Sequence, residues 1–185
     1  AIGNVAVGKS AMDANTTGAD NVAVGLNALG ANTTGALNTA IGKDALLVAT
    51  TAVNNTAVGA LSLDAATTGV DNTACGYNAL TAVTTGIQNT AIGSGAGATI
   101  TTGTNNTCVG FGAAASAVGV TNEVTVGNAS VTIIRAAVTT ITAISDGRDK
   151  MDIQDLDLGL DFVTKLKPRK YKWNMRDGTK RPPGF

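Results

Sequence analysis

The sequence predicts an all-β protein built as a solenoid of short stacked coils, and three observations carry that prediction. First, the chain repeats every 17 residues from Asn4 to Asn122 without insertion or deletion. Second, Asn4, Asn21, Asn38, Asn55, Asn72, Asn89 and Asn106 are each followed four residues later by glycine, and Gly127 keeps that beat once more. Third, the chain is 44% hydrophobic but only 3% aromatic, with 23 glycines, so its core has to come from Ala, Val, Ile and Leu. A unit of 17 residues cannot bury an apolar face by itself, so neighbouring units must stack and share one.

Within a unit such as Asn55-Thr56-Ala57-Val58-Gly59, alternation puts Thr56 and Val58 on one face of a short strand and Ala57 on the other, and the glycine permits the turn. The slot of Val7, Val24, Ile41, Val58, Cys75, Ile92 and Val109 reads as the inside of the coil. Ala6, Ala23, Ala40, Ala57, Ala74, Ala91 and Cys108 then form a second apolar face, uniformly small, packed against another body. Leu29, Leu46, Leu63 and Leu80 read as a second short strand that closes each coil. Thr-Thr-Gly at 16–18, 33–35, 67–69, 84–86 and 101–103 reads as turn chemistry with the glycine at positive φ. The asparagine column is expected to stack its amides along the axis. Seven coils at about 4.8 Å give a rod of roughly 34 Å, with Phe111 expected to help plug its end. Cys75 and Cys108 fall in different slots two coils apart, about 10 Å and on opposite faces, beyond disulfide reach. Both read as small buried apolar residues.

Charge divides the chain: residues 1–144 carry 9 of the 26 charged side chains and residues 145–185 carry 17. No basic patch lies in the repeats, so nucleic acid is not an expected partner, and the basic run Lys165 to Lys172 reads as a solvated face. With no histidine and no cysteine pair at ligand spacing, neither a metal site nor a cofactor is expected. Asp13 shares a slot with Asp64 and Asp20 shares one with Asp71, but each pair is three coils apart and Asp44 stands alone, which argues against a calcium ladder. No signal peptide and no bilayer-length apolar stretch is present, so membrane insertion is not expected. The chain starts in mid-pattern and closes on Pro182-Pro183-Gly184-Phe185, as a piece of a longer protein would. Three segments result: repeats over 1–122, a neck over 123–144 with alternation around Val131, Ile133, Val138, Ile141 and Ala143, and a charged segment over 145–185. The last holds a helical pattern at Leu156, Leu160, Val163 and Leu166, stopped by Pro168, then strand alternation at Tyr171-Lys172-Trp173.

The Asn-Thr-Ala-Val/Ile-Gly repeats resemble the left-handed parallel β-roll of trimeric autotransporter adhesin heads, also met in phage fibres, whose common repeat is a few residues shorter. A second, more specific resemblance begins at Ser145-Asp146-Gly147-Arg148-Asp149-Lys150 and continues through Ile153, Leu158-Gly159-Leu160, Leu166-Lys167-Pro168, Tyr171 and Trp173. It is similar to the start of the C-terminal intramolecular chaperone of endosialidase-type tail spikes and fibres, although that family's domain continues into long helices. The resemblance implies that the chaperone drives trimerisation of the preceding fibre and is then released by self-cleavage. Carried onto this sequence, the scissile bond is Ile144-Ser145, Ser145 is the nucleophile, Lys150 its base, and Asp146 and Arg148 position the loop. A lysine serves as base when its pKa falls from about 10.4 toward about 7 to 8.

Together these readings give a viral, phage-like tail fibre or appendage: a homotrimeric β-roll shaft, a neck and the N-terminal part of a chaperone. The small alanine face and the thin neck are expected to pack three rolls about one axis. Its expected partners are its own copies, other virion proteins and a host cell-surface receptor, and its expected location is the virion. Any peptidase activity is a single self-cleavage, with no external substrate. The alternatives are a bacterial trimeric surface adhesin and, with less support, an ice-binding solenoid. Ice binding is disfavoured because Thr39, Thr56, Thr73, Thr90 and Thr107 make one file rather than a two-wide array.

Overall fold

A computed structural model describes residues 2–135, and these form a parallel β-solenoid. Its strands are β1 (Val5–Val7), β2 (Val22–Val24), β3 (Thr39–Ile41), β4 (Thr56–Val58), β5 (Thr73–Cys75), β6 (Thr90–Ile92), β7 (Thr107–Val109) and β8 (Val124–Val126). They make one eight-stranded sheet in chain order, every pair parallel and every register shifted by one repeat, as in Ala40↔Ala57 and Ala57↔Ala74. No helix occurs among the described residues. The last strand, Val124–Val126, lies in the segment that the sequence groups with the neck, whereas Val131 and Ile133 are exposed and outside any strand. The solenoid falls in one compact unit, Ala1–Arg135.

The faces of the strands are the reverse of the sequence expectation. Ala23, Ala40, Ala57, Ala74 and Ala91 are fully buried inside the coils, with Cys108 beside them. Val7, Ile41, Ile92 and Val109 point outward and are exposed, and Cys75 in the same file is exposed too, so it is not the buried residue expected. The reason is room. A 17-residue coil encloses a narrow interior, and the large side chains that fill it arrive from the opposite wall: Leu29, Leu46, Leu63 and Leu80, each fully buried. A methyl group is what remains to be accommodated on the strand side. The alanine face is therefore core and cannot be the surface on which three rolls pack.

Those leucines do not form a second strand. Their φ angles, 51°, 49°, 50° and 51°, are left-handed, so they sit in turns. Their amides nevertheless bond from coil to coil, Leu46 N–H to Ser62 C=O and Leu63 N–H to Ala79 C=O at 3.0 Å each, so the wall is hydrogen-bonded without extended geometry. Burial of the side chain offsets the roughly 1–2 kcal/mol that a left-handed backbone costs an L residue. Where the slot holds Gly97, the neighbouring Ile100 fills the interior instead, fully buried and with its Cδ1 3.5 Å from where a Cβ on Gly97 would stand.

Two glycine columns act differently. Gly42, at φ 137°, ends β3, and a Cβ there would stand 2.6 Å from the carbonyl carbon and oxygen of Gly59 in the next coil. The Thr-Thr-Gly glycines, in contrast, are not at positive φ. Gly69 is small because a Cβ would crowd Gly86 O at 2.8 Å, and the left-handed residue of that turn is the one two positions later, Asp71 at φ 58°. Phe111 does not plug an end; it stands on the side of the shaft, 74% exposed.

Candidate functional site: the outward sheet face and the shaft end

The outward face of the sheet is two files wide. One file is Val5, Val22, Thr39, Thr56, Thr73, Thr90, Thr107 and Val124; the other is Val7, Val24, Ile41, Val58, Cys75, Ile92, Val109 and Val126. Neither file contains a charged residue. A stripe of β-branched side chains, interrupted only at Cys75, on a regular sheet is a surface suited to another protein surface rather than to water. The asparagine column ties successive coils together beside this face. Asn55 donates its backbone N–H to Asn38 Oδ1 at 3.0 Å, and its Nδ2 donates to Asn38 Oδ1 at 3.1 Å and to Gly69 O at 2.8 Å. Asn55 Oδ1 in turn accepts from Asn72 N at 3.0 Å and Asn72 Nδ2 at 3.1 Å, as the stacked column predicts.

The ladder ends at Glu123, which stands in the asparagine slot. Its N–H still donates to Asn106 Oδ1 at 3.0 Å, but its carboxylate folds over to accept from Ser116 N–H at 2.9 Å, from the Ser116 hydroxyl and from Thr125 Oγ1 at 3.0 Å. Hydrogen bonds from the Ser116 hydroxyl and then the Ser116 amide hold this carboxyl below the usual carboxylate range. Burial pushes the nearby Cys108 thiol up, and the Glu123 charge adds to that. Both cysteines are free, one exposed and one buried, in keeping with two thiols that do not pair.

Elsewhere on the shaft, Asn27 Nδ2 donates to Asp44 Oδ1 at 2.9 Å and Thr81 Oγ1 to Asp64 Oδ1 at 2.6 Å. A shallow hollow of about 550 Å³ lies among Ser10, Asp13, Asn27, Gly30 and Leu47. The described residues contain no group of three or more side chains that could hold a metal ion, and none of their helices could cross a membrane because they contain none. The exposed threonines of the Thr-Thr-Gly turns, such as Thr34, Thr68 and Thr85, stand in a single file, because Thr33, Thr67 and Thr84 turn their hydroxyls to carbonyls of the next coil.

The sequence-predicted processing residues Ser145, Asp146, Arg148 and Lys150 lie outside the described residues, as do Ile144, Val138, Ile141, Ala143, the Leu156–Leu166 pattern and Tyr171-Lys172-Trp173. Their assignment rests on sequence likeness. Residues 145–184 match the family described as chaperone of endosialidase. The match opens on Ser145, at the first residue of the motif and at the change from sparsely charged repeats to densely charged chain. No curated protein matches the chain. No solved structure matches it either. A parallel solenoid followed by an endosialidase-chaperone segment fits a phage tail-fibre-like protein.

Proposed function

We propose that the protein is the shaft of a virion tail fibre or appendage that attaches to a host cell, assembled as a homotrimer and released from its chaperone by self-cleavage. The observation that carries this reading is the order of parts: a solenoid with an uncharged outward face, then a chaperone of endosialidase match beginning at Ser145. In proteins with this type of chaperone the segment assembles the fibre in front of it and is cut away at its own N-terminal edge. Ser145 is the nucleophile, Lys150 the base that takes its proton, and Asp146 and Arg148 hold the loop. The hydroxyl attacks the Ile144 carbonyl and forms an ester as the Ile144–Ser145 amide breaks, the proton passing through Lys150 to the leaving amine; water then hydrolyses the ester and releases the shaft. A lysine base requires a lowered pKa, which packing between protomers supplies by desolvation.

The trimer contact is assigned to the outward face of the sheet, since the alanine face is core. Three two-file stripes facing one threefold axis would exclude water from Val7, Ile41, Ile92 and Val109, which a lone shaft leaves exposed. The mass of the purified, denatured chain tests the processing step. The wild type is expected to yield a product ending at Ile144, and Ser145→Ala only the intact chain. An intact wild type, or a Ser145→Ala chain cut at the same bond, would overturn it.

A further inference from the structure

The outward stripe is uncharged, but its two edges are not alike. All eight strands are parallel and in register, so every coil enters the sheet at one edge and leaves it at the other. The entry slot, the residue just before the asparagine ladder, holds Asp20 and Asp71 and no cation. The exit slot, the residue just past the strand-ending glycine, holds Lys9 and Lys43 and no acid. These are the only lysines among the described residues, and all four side chains are exposed.

The backbone does not demand this charge. The entry slot is left-handed, with φ 56° at Asp20 and 58° at Asp71, but asparagine serves as well at Asn54, φ 58°, and at Asn105, φ 55°. Nor does pairing within one chain use it up. The one ion pair among the described residues is Lys43 with Asp44, and it leaves 63% of the Lys43 side chain exposed.

Cyclic symmetry decides what meets these edges. When identical faces surround an axis parallel to the shaft, the exit edge of each copy abuts the entry edge of the next, and equivalent residues stand at one height. Lysines then face aspartates. An antiparallel pairing of two such faces would instead set lysine edge on lysine edge and aspartate edge on aspartate edge. The heights agree as well. Asp20 opens the second coil, between Lys9 of the first and Lys43 of the third, about 4.8 Å from the level of each. Its carboxylate leans back over Gly3, where a Cβ would collide with its Oδ1. Asp71 and Tyr77 flank the strand of the same coil, and Tyr77 is 54% exposed.

We infer that the contact between copies is directional: the exit edge of each chain docks on the entry edge of a parallel second copy, Asp20 pairing with Lys9 and Lys43, and the Asp71 carboxylate accepting from the Tyr77 hydroxyl. The uncharged stripe between the edges supplies the buried area, and the charges at its rim set direction and axial register. A rim pair is weak singly, but closed symmetry repeats it at every edge of the assembly. This inference rests on the homotrimer reading and names the residues that orient it.

Sedimentation velocity over a dilution series of the full chain tests it. The wild type is compared with Asp20→Lys, with Lys9→Glu plus Lys43→Glu, and with all three changes together. Every position is exposed, so each chain is expected to keep the far-ultraviolet circular dichroism of the wild type. The first two variants set like charges edge to edge and are expected to raise the concentration at which half the trimer dissociates at least about tenfold. The combined variant exchanges the signs and is expected to recover most of that loss. Trimers of equal strength in all four chains, or a combined variant no stronger than its parents, would overturn the edge pairing and leave the homotrimer standing. A wild type that is monomeric throughout the series would overturn the homotrimer reading itself, and the pairing with it.

Discussion

Asn55 carries more of the shaft than its size suggests. It is fully buried, and it bonds at once to the coil before it through Asn38 and to the coil after it through Asn72 and Gly69. Alanine at this position would leave Asn72 N–H and Gly69 O without these partners in a place water does not reach. At about 1–3 kcal/mol for each orphaned group, Asn55→Ala is expected to destabilise the solenoid by roughly 3 kcal/mol or more. The exposed Thr68→Ala should stay within about 0.5 kcal/mol. Denaturant midpoints of the two variants check this, and equal midpoints would mean the ladder adds little. A gain is also available. Leu37 sits at φ 58° with its side chain exposed, in a slot that elsewhere holds Asp20, Asn54, Asp71, Gln88, Asn105 and Asn122. Leu37→Asn is expected to raise stability by about 1 kcal/mol, because asparagine tolerates the left-handed conformation and its amide can pair along the file as Asn105 does with Asn122 at 2.8 Å. A thermal melt shifted downward would contradict that account.

At the scale of the element, the period, the asparagine ladder and the short parallel strand were all legible in the sequence, because each depends only on spacing. The direction of the strand was not. A three-residue strand with apolar residues on both faces gives alternation without polarity, so which face is inside depends on how much room the coil encloses. The signal was available in the variance: the interior slot is alanine in six successive coils, while the outer slot varies among Val, Ile and Cys. A slot with no room admits one small residue, and a slot facing a partner admits several. The closing wall was hidden for a different reason, since left-handed leucines violate backbone preference and are held there by burial and by coil-to-coil amide bonds. At the shaft end, the lowered Glu123 carboxyl makes a pH prediction. A carboxylate held below its unfolded value of 4.5 adds stability that is full above that value and is lost as pH falls through the lower folded value. Amide exchange in the last coil should therefore quicken below about pH 4.5 in the wild type. Glu123→Gln should remove that step, and persistence of the step would place the titrating group elsewhere.

For the molecule as a whole, the division of charge at Ser145 and the family match over 145–184 mark the same boundary. On one side stands a solenoid whose described residues hold one ion pair, Lys43 with Asp44 at 3.5 Å, and whose cohesion comes from amide ladders and stacked apolar coils. Its uncharged outward stripe is where copies of the chain are assigned to meet. The proposed processing residues are read from sequence motif alone, since the chemistry assigned to them depends on a short local pattern. The faces of the shaft needed packing, which no local pattern contains. Sedimentation velocity on the intact chain, with and without Ile41→Lys and Ile92→Lys together, tests the assembly most directly. Both side chains are exposed on a single shaft, so the variant is expected to keep its far-ultraviolet circular dichroism. The wild type should sediment as a trimer and the variant as a monomer; a monomeric wild type, or a trimer that the two lysines leave intact, would contradict assembly through the outward face.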